Sequence, residues 1–107
     1  MGAESRFQKR LIRDLRRIFP DCIILKNDPT YLQGVPDLLI LWRNRWAALE
    51  CKQSQFAVRG VNQVHYVQVM DKMSFATFIY PENKDRVLHA LQHAFKSRGT
   101  ARLSRPE

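Results

Sequence analysis

Between Ala3 and Phe19 the apolar residues are Phe7, Leu11, Ile12, Leu15, Ile18 and Phe19. Steps of three and four put them on one stripe of a helix, which Pro20 and Asp21 end. Arg6, Lys9, Arg10, Arg13, Arg16 and Arg17 fill the opposite face. Cys22 to Lys26 is a short apolar run and predicts a buried strand. Asn27 to Gly34 holds Asn-Asp-Pro and a closing glycine, the signature of a loop.

Two further apolar runs follow, Pro36–Trp42 and Trp46–Lys52, parted by Arg43-Asn44-Arg45. Proline can open a strand but not sit at its centre, so the first strand starts at about Pro36. The short break predicts an antiparallel hairpin. Side chains alternate across a strand. Asp37 therefore shares a face with Glu50 and Lys52 only if paired residue numbers sum to an odd value. An Arg43-Asn44 loop sets Asp37 opposite Glu50, and an Asn44-Arg45 loop sets it opposite Lys52. A three-residue loop throws Asp37 to the other face unless a bulge corrects it. With either two-residue loop, Leu38, Ile40, Ala47, Leu49 and Cys51 form an apolar set on the far face.

Gln53 to Gly60 predicts a polar loop containing Phe56. Val61 to Met73 has strand-forming valines, but its length and the Val61, Val64, Val67, Met70 spacing predict a helix. Ser74 to Tyr80 predicts a strand ended by Pro81. Glu82 to Lys96 predicts a helix with Val87, Leu88, Leu91, Ala94 and Phe95 inward. Residues 97–107 are basic with little to bury and are expected to be a flexible tail. The whole is one α/β domain over residues 1–96, with a mixed central sheet of about four strands flanked by helices in the order αβββαβα.

Charge sharpens this picture. The chain has 107 residues and a formal net charge of +8. No apolar run is long enough to span a bilayer, and Met1 to Arg10 is too polar for a secretory signal, so a cytoplasmic protein is expected. The polyanion that suits such a charge is nucleic acid. Cys22 and Cys51 make no disulfide framework or zinc motif and are expected to be buried thiols.

Asp37 opens one apolar run, and Glu50 and Lys52 close the other. Unpaired charge at the end of a buried strand is costly, so these residues are candidates for chemistry. A hard cation held by Asp37 and Glu50 can activate water and shield phosphate charge. Lys52, on the same face as Glu50, can orient that water or stabilise a pentavalent phosphate. The competing structural reading makes Glu50 and Lys52 an exposed edge-strand pair and Asp37 a turn acid. Glu4 either extends the inward stripe of the first helix or simply favours its N-terminal dipole.

The pattern Pro36-Asp37, then Glu50-Cys51-Lys52, resembles the PD-(D/E)xK nuclease superfamily. Gly34-Val35-Pro36-Asp37-Leu38-Leu39-Ile40 with Ala48-Leu49-Glu50-Cys51-Lys52 is similar in particular to the virus-type replication-repair nucleases (VRR-NUC). The resemblance covers roughly Glu4 to Leu91. It implies a restriction-endonuclease-like core and a magnesium-dependent endonuclease, with manganese as substitute. It also implies that the Cys51 backbone carbonyl joins Asp37 and Glu50 at the metal. Glu4 then helps to hold the metal or its waters, and Gln63 orients the nucleophile or holds Lys52. Stand-alone members are homodimers of phage and bacteria, which implies cutting of branched DNA, four-way (Holliday) junctions above all. Arg6, Lys9, Arg10, Arg13 and Arg59 are the candidate phosphate contacts. A flap, nicking, restriction or homing-type endonuclease is the alternative enzyme. A non-catalytic basic DNA-binding module is the alternative of another class.

Other residues stay open. His89 and His93 are spaced as a metal pair, but no third ligand is evident and a solvated face is favoured. Trp42 and Trp46 are either a cross-strand pair or a dimer contact. Tyr31 and Gln33 either line a substrate groove or order their loop.

Overall fold

The computed structural model describes residues 2–97. The expected tail from residue 98 onward lies outside the described residues. Helix α1 spans Ala3–Ile18, strand β1 Ile23–Lys26, β2 Leu38–Trp42, β3 Arg45–Cys51, helix α2 Val61–Met73, strand β4 Ala76–Ile79 and helix α3 Lys84–Ser97. The four strands form one sheet in the order β1-β2-β3-β4. The first two pairings are antiparallel and β3–β4 is parallel. Helix α2 is the crossover that a parallel pair requires. The protein is thus an α/β domain, a mixed four-stranded sheet flanked by three helices.

The hairpin turn is Arg43-Asn44, with Trp42 paired to Arg45 and Leu38 to Leu49. Arg43 takes a positive φ of 59°. A two-residue loop needs such a residue to match the strand twist. This register puts Leu38, Ile40, Ala47, Leu49 and Cys51 on one face, and all are fully buried. Phe7, Leu11 and Leu15 of α1 and Val87, Leu88, Leu91 and Phe95 of α3 join them in the core. Phe19 closes it at the hairpin end, with its ring 5.0 Å from Trp42 and 5.1 Å from Phe95. Burying a large apolar side chain of this kind contributes about 1.5–3 kcal/mol.

Helix α2 covers the other face over β3 and β4 only. Ala48 pairs with Ala76, and both are buried, as is Val67 of α2. These small side chains let the helix approach the sheet. Among the described residues the β1–β2 half of this face has no such cover, which corrects the expectation of a buried first strand. Ile23 is 57% exposed and Leu25 45% exposed. An edge strand with a helix on one side only covers alternate residues, here the half-buried Ile24.

Other boundaries shift by a few residues. Ser74 caps α2 instead of opening β4. Buried Asn83 sets the turn into α3: its Oδ1 accepts the Tyr80 N–H at 2.8 Å and its Nδ2 donates to the Phe78 carbonyl at 3.1 Å. Trp42 and Trp46 are not a cross-strand pair. Trp42 points into the α1–α3 core and donates to the Pro20 carbonyl at 3.0 Å, while Trp46, four residues on, lies on the α2 face.

Candidate active site

The carboxylate end of β3 is assembled by the loop that precedes β2. Gly34 sits at a φ of +94°, and a Cβ there would collide with Asn62 in the first turn of α2. Glycine alone suits both demands. Asn27 then grips the chain beyond it. Its side-chain amide donates to the Pro36 carbonyl at 2.6 Å and its backbone N–H to the Asp37 carbonyl at 2.8 Å. Asp37 is held just before β2 begins, across from Glu50.

The two strand ends exchange hydrogen bonds. The Asp37 N–H donates to Glu50 Oε1 at 3.1 Å, and the Cys51 N–H donates to Asp37 Oδ2 at 2.9 Å. Gln63, in the first turn of α2, reaches the other side. Its Nε2 donates to Glu50 Oε2 at 3.0 Å, while its Oε1 accepts from Lys52 Nζ at 2.7 Å and from the Gly60 N–H at 2.9 Å. Lys52 Nζ lies 4.0 Å from Glu50 Oε2. One amide therefore fixes both Glu50 and Lys52 and caps the helix that carries it. The Lys52 backbone N–H donates to the Ile79 carbonyl at 2.9 Å, which anchors the strand end to β4.

Glu50 is only 3% exposed. Burial raises its carboxyl to about 7, the Asp37 charge adds to this, and Lys52 and the Asp37 N–H oppose it. Burial likewise raises Asp37, against the pull of the Cys51 N–H and Lys52. Glu4 is solvent-exposed on the first turn of α1 but feels the charges of Asp37 and Lys52. Its carboxyl is nevertheless raised, by partial burial first and by the Asp37 charge second. Three acids thus feel one another with a single lysine among them. Cys51 turns its thiol to the other face, where burial pushes it up to about 12 and keeps it protonated. Among the described residues no three of His, Cys, Asp and Glu converge into a ready-made metal cage.

The basic candidates divide. Arg6, Lys9, Arg10 and Arg13 are exposed on α1, the helix that carries Glu4. Arg59 lies with its guanidinium 4.3 Å from the Phe78 ring centre and 5.9 Å from that of Tyr80. Phe78 pairs with Glu50, so Arg59 borders the acids. His89 and His93 are far along α3, at the opposite end of the sheet. Two exposed groups escape a reading by hydropathy. Tyr31, 89% exposed, precedes Asp37 in the entry loop, and Phe56, 82% exposed, follows Lys52. An aromatic residue in an otherwise polar loop is the signal that marks Phe56.

No family model, no curated protein and no solved structure matches this chain.

Proposed function

We propose that the protein is a metal-dependent DNA endonuclease with a restriction-endonuclease-like core, of the type that its Pro36-Asp37 and Glu50-Cys51-Lys52 segments resemble. The observation that carries this reading is the chain Asp37–Glu50–Gln63–Lys52. Two carboxylates on adjacent strand ends and a lysine on the same face are tied together by one glutamine. A structural ion pair needs one acid and one base. Here burial raises the carboxyl of Glu50 and a second, half-buried acid adds to the rise, which is unfavourable until a cation joins them.

The donor set fits magnesium. Carboxylate oxygens are hard ligands, and magnesium is held by one or two of them, with waters and substrate phosphate completing its shell. Asp37, Glu50 and the Cys51 carbonyl would hold it, with Glu4 on its waters. When bound, such an ion lowers the pKa of water and shields phosphate charge. The chain does the rest. Gln63 keeps Lys52 extended, and Lys52 is the group that orients the attacking water or meets the charge gathering on phosphorus. Arg59 and the α1 cations Arg6, Lys9, Arg10 and Arg13 hold the strand by its phosphates, without base preference.

The substrate is branched DNA, with the four-way junction first, cut by a homodimer. Tyr31 and Phe56 support the branched substrate, because free aromatic faces suit unpaired bases. Exposed Ile23 and Leu25 on β1 leave apolar surface for a second copy. The test is incubation of the full chain with labelled four-way junction, flap and linear duplex, in EDTA, calcium or magnesium. Paired cuts in the junction with magnesium alone are expected. Equal cutting of linear duplex would sink the junction assignment. Binding without cutting under every metal would replace it with a non-catalytic DNA-binding module.

A further inference from the structure

A cavity lies away from the carboxylates. It opens at the hairpin end of β3 and has a volume of about 820 Å³. Glu50 lies five positions along the strand from Arg45, roughly 17 Å of extended chain. The walls come from the hairpin, from the end of α2 with the residues after it, and from α3. Arg45, Lys72, His89 and His93 line the cavity, and among the described residues no Asp or Glu does. Asp71, the acid next to Lys72, is occupied with the Ala76 N–H at 3.0 Å.

Arg45 is the residue that points to a ligand. Its Nε and Nη2 are enclosed by protein and have no hydrogen-bond partner among the described residues. No ion pair among the described residues includes it either. A lysine or carboxyl so placed could shed its charge, but a guanidinium cannot. A cation with two enclosed, unpaired nitrogens is unfavourable, and Arg45 lines the cavity, so an anion bound there lies beside it. A planar guanidinium matches phosphate in a two-point contact. The same walls hold Trp46 and Phe75, both half-buried. The volume lies within the usual range for a small-molecule site, about 300–1,000 Å³.

We propose that this cavity binds a nucleotide. Its phosphate meets Arg45 and Lys72, with His89 and His93 as further donors, and its base lies against Trp46 or Phe75. A free nucleotide and the terminal nucleotide of a single strand share this chemistry. The net charge of +8 draws either one. The site stands apart from the carboxylates and does not depend on the nuclease reading.

The test is calorimetric titration of the full chain in EDTA, which removes any metal from the comparison. The probes are inorganic phosphate, adenosine 5′-monophosphate and a 5′-phosphorylated single-stranded tetranucleotide. The proteins are wild type, Arg45→Gln, the double variant Lys72→Gln/His93→Gln, and Arg16→Gln on α1 as control. Lys72 and His93 are exposed, so the double variant keeps the test valid even if Arg45→Gln folds poorly. Saturable binding of a nucleotide is expected, weakened at least about tenfold in both cavity variants, as loss of a charge-assisted contact implies, and unchanged in Arg16→Gln. Tighter binding of the monophosphate identifies a free nucleotide, and tighter binding of the tetranucleotide identifies a strand end. No binding of either nucleotide overturns the proposal. So does equal binding by the cavity variants, or binding of inorganic phosphate as tight as that of both nucleotides.

Discussion

At one end of β3 a buried carboxylate has a partner on each oxygen, and at the other a largely enclosed guanidinium has two nitrogens with none. Glu50 accepts from the Asp37 N–H and from Gln63. Arg45 keeps Nε and Nη2 unpaired among the described residues. The acid can answer burial by taking up a proton, and its carboxyl is raised to about 7. The arginine has no such escape. The lesson is that hydrogen bonds alone do not make a buried charge comfortable. Glu50 is fully bonded and still strained electrostatically, because burial strips its solvation and a second acid faces it.

The contrast can be broken most severely at the acids. Asp37→Ala or Glu50→Ala should lower magnesium-dependent cleavage by at least about a thousandfold, since the proposed ion would supply several kcal/mol at the transition state. Binding of DNA, measured by gel shift in calcium, should survive. A variant that cuts as well as wild type removes the site assignment.

The same pair predicts how stability depends on pH. Burial lifts the Glu50 carboxyl from its ordinary 4.5 to about 7 in the folded protein. Its contribution is therefore fully present below about pH 4.5 and is lost as pH rises through about 7. Metal-free protein should lose on the order of 3 kcal/mol over that window from this group. The raised Asp37 and Glu4 act in the same direction, while the lowered Asp14 acts in the other, at lower pH. Denaturant midpoints at pH 5 and pH 8 in EDTA should fall further in wild type than in Glu50→Gln. Magnesium at pH 8 should restore much of the loss.

Gln63 is next in size. Gln63→Leu frees Lys52 and Glu50 without removing either, and should cost about 10–100-fold in cleavage, as loss of a residue that orients ligands does. A loss confined to stability, with cleavage per folded molecule unchanged, would make Gln63 a helix cap only. The smallest effect is expected at Arg45. Arg45→Met removes a cation without a partner, so ligand-free stability should stay level or rise by about 1–2 kcal/mol. A clear drop would show that the guanidinium already has its partner.

The same two ends explain what a sequence can carry. The Asp37–Glu50 alignment was legible because parity along a two-residue hairpin leaves few choices, and the apolar set from Leu38 to Cys51 followed from the same parity. The loop itself stayed open between Arg43-Asn44 and Asn44-Arg45 until the pairing of Trp42 with Arg45 decided it. Arg45 escaped notice because a basic residue beside a turn is ordinarily solvated. Its enclosure depends on α3 and the end of α2, both distant in sequence. The exposure of Ile23 and Leu25 was hidden for a related reason. Periodicity says that a face is apolar, but not whether a helix lies over it. The close approach of Gly34 to Asn62 is likewise a contact between loop and helix that no local pattern records.

The central claim is that the Asp37–Glu50 pair holds a divalent cation. Manganese titration followed by electron paramagnetic resonance at pH 8, on wild type and Glu50→Gln, tests it without any DNA. Saturable loss of the free-manganese signal is predicted for wild type, and little or none for Glu50→Gln. Equal binding by both proteins, or none by wild type, would contradict it.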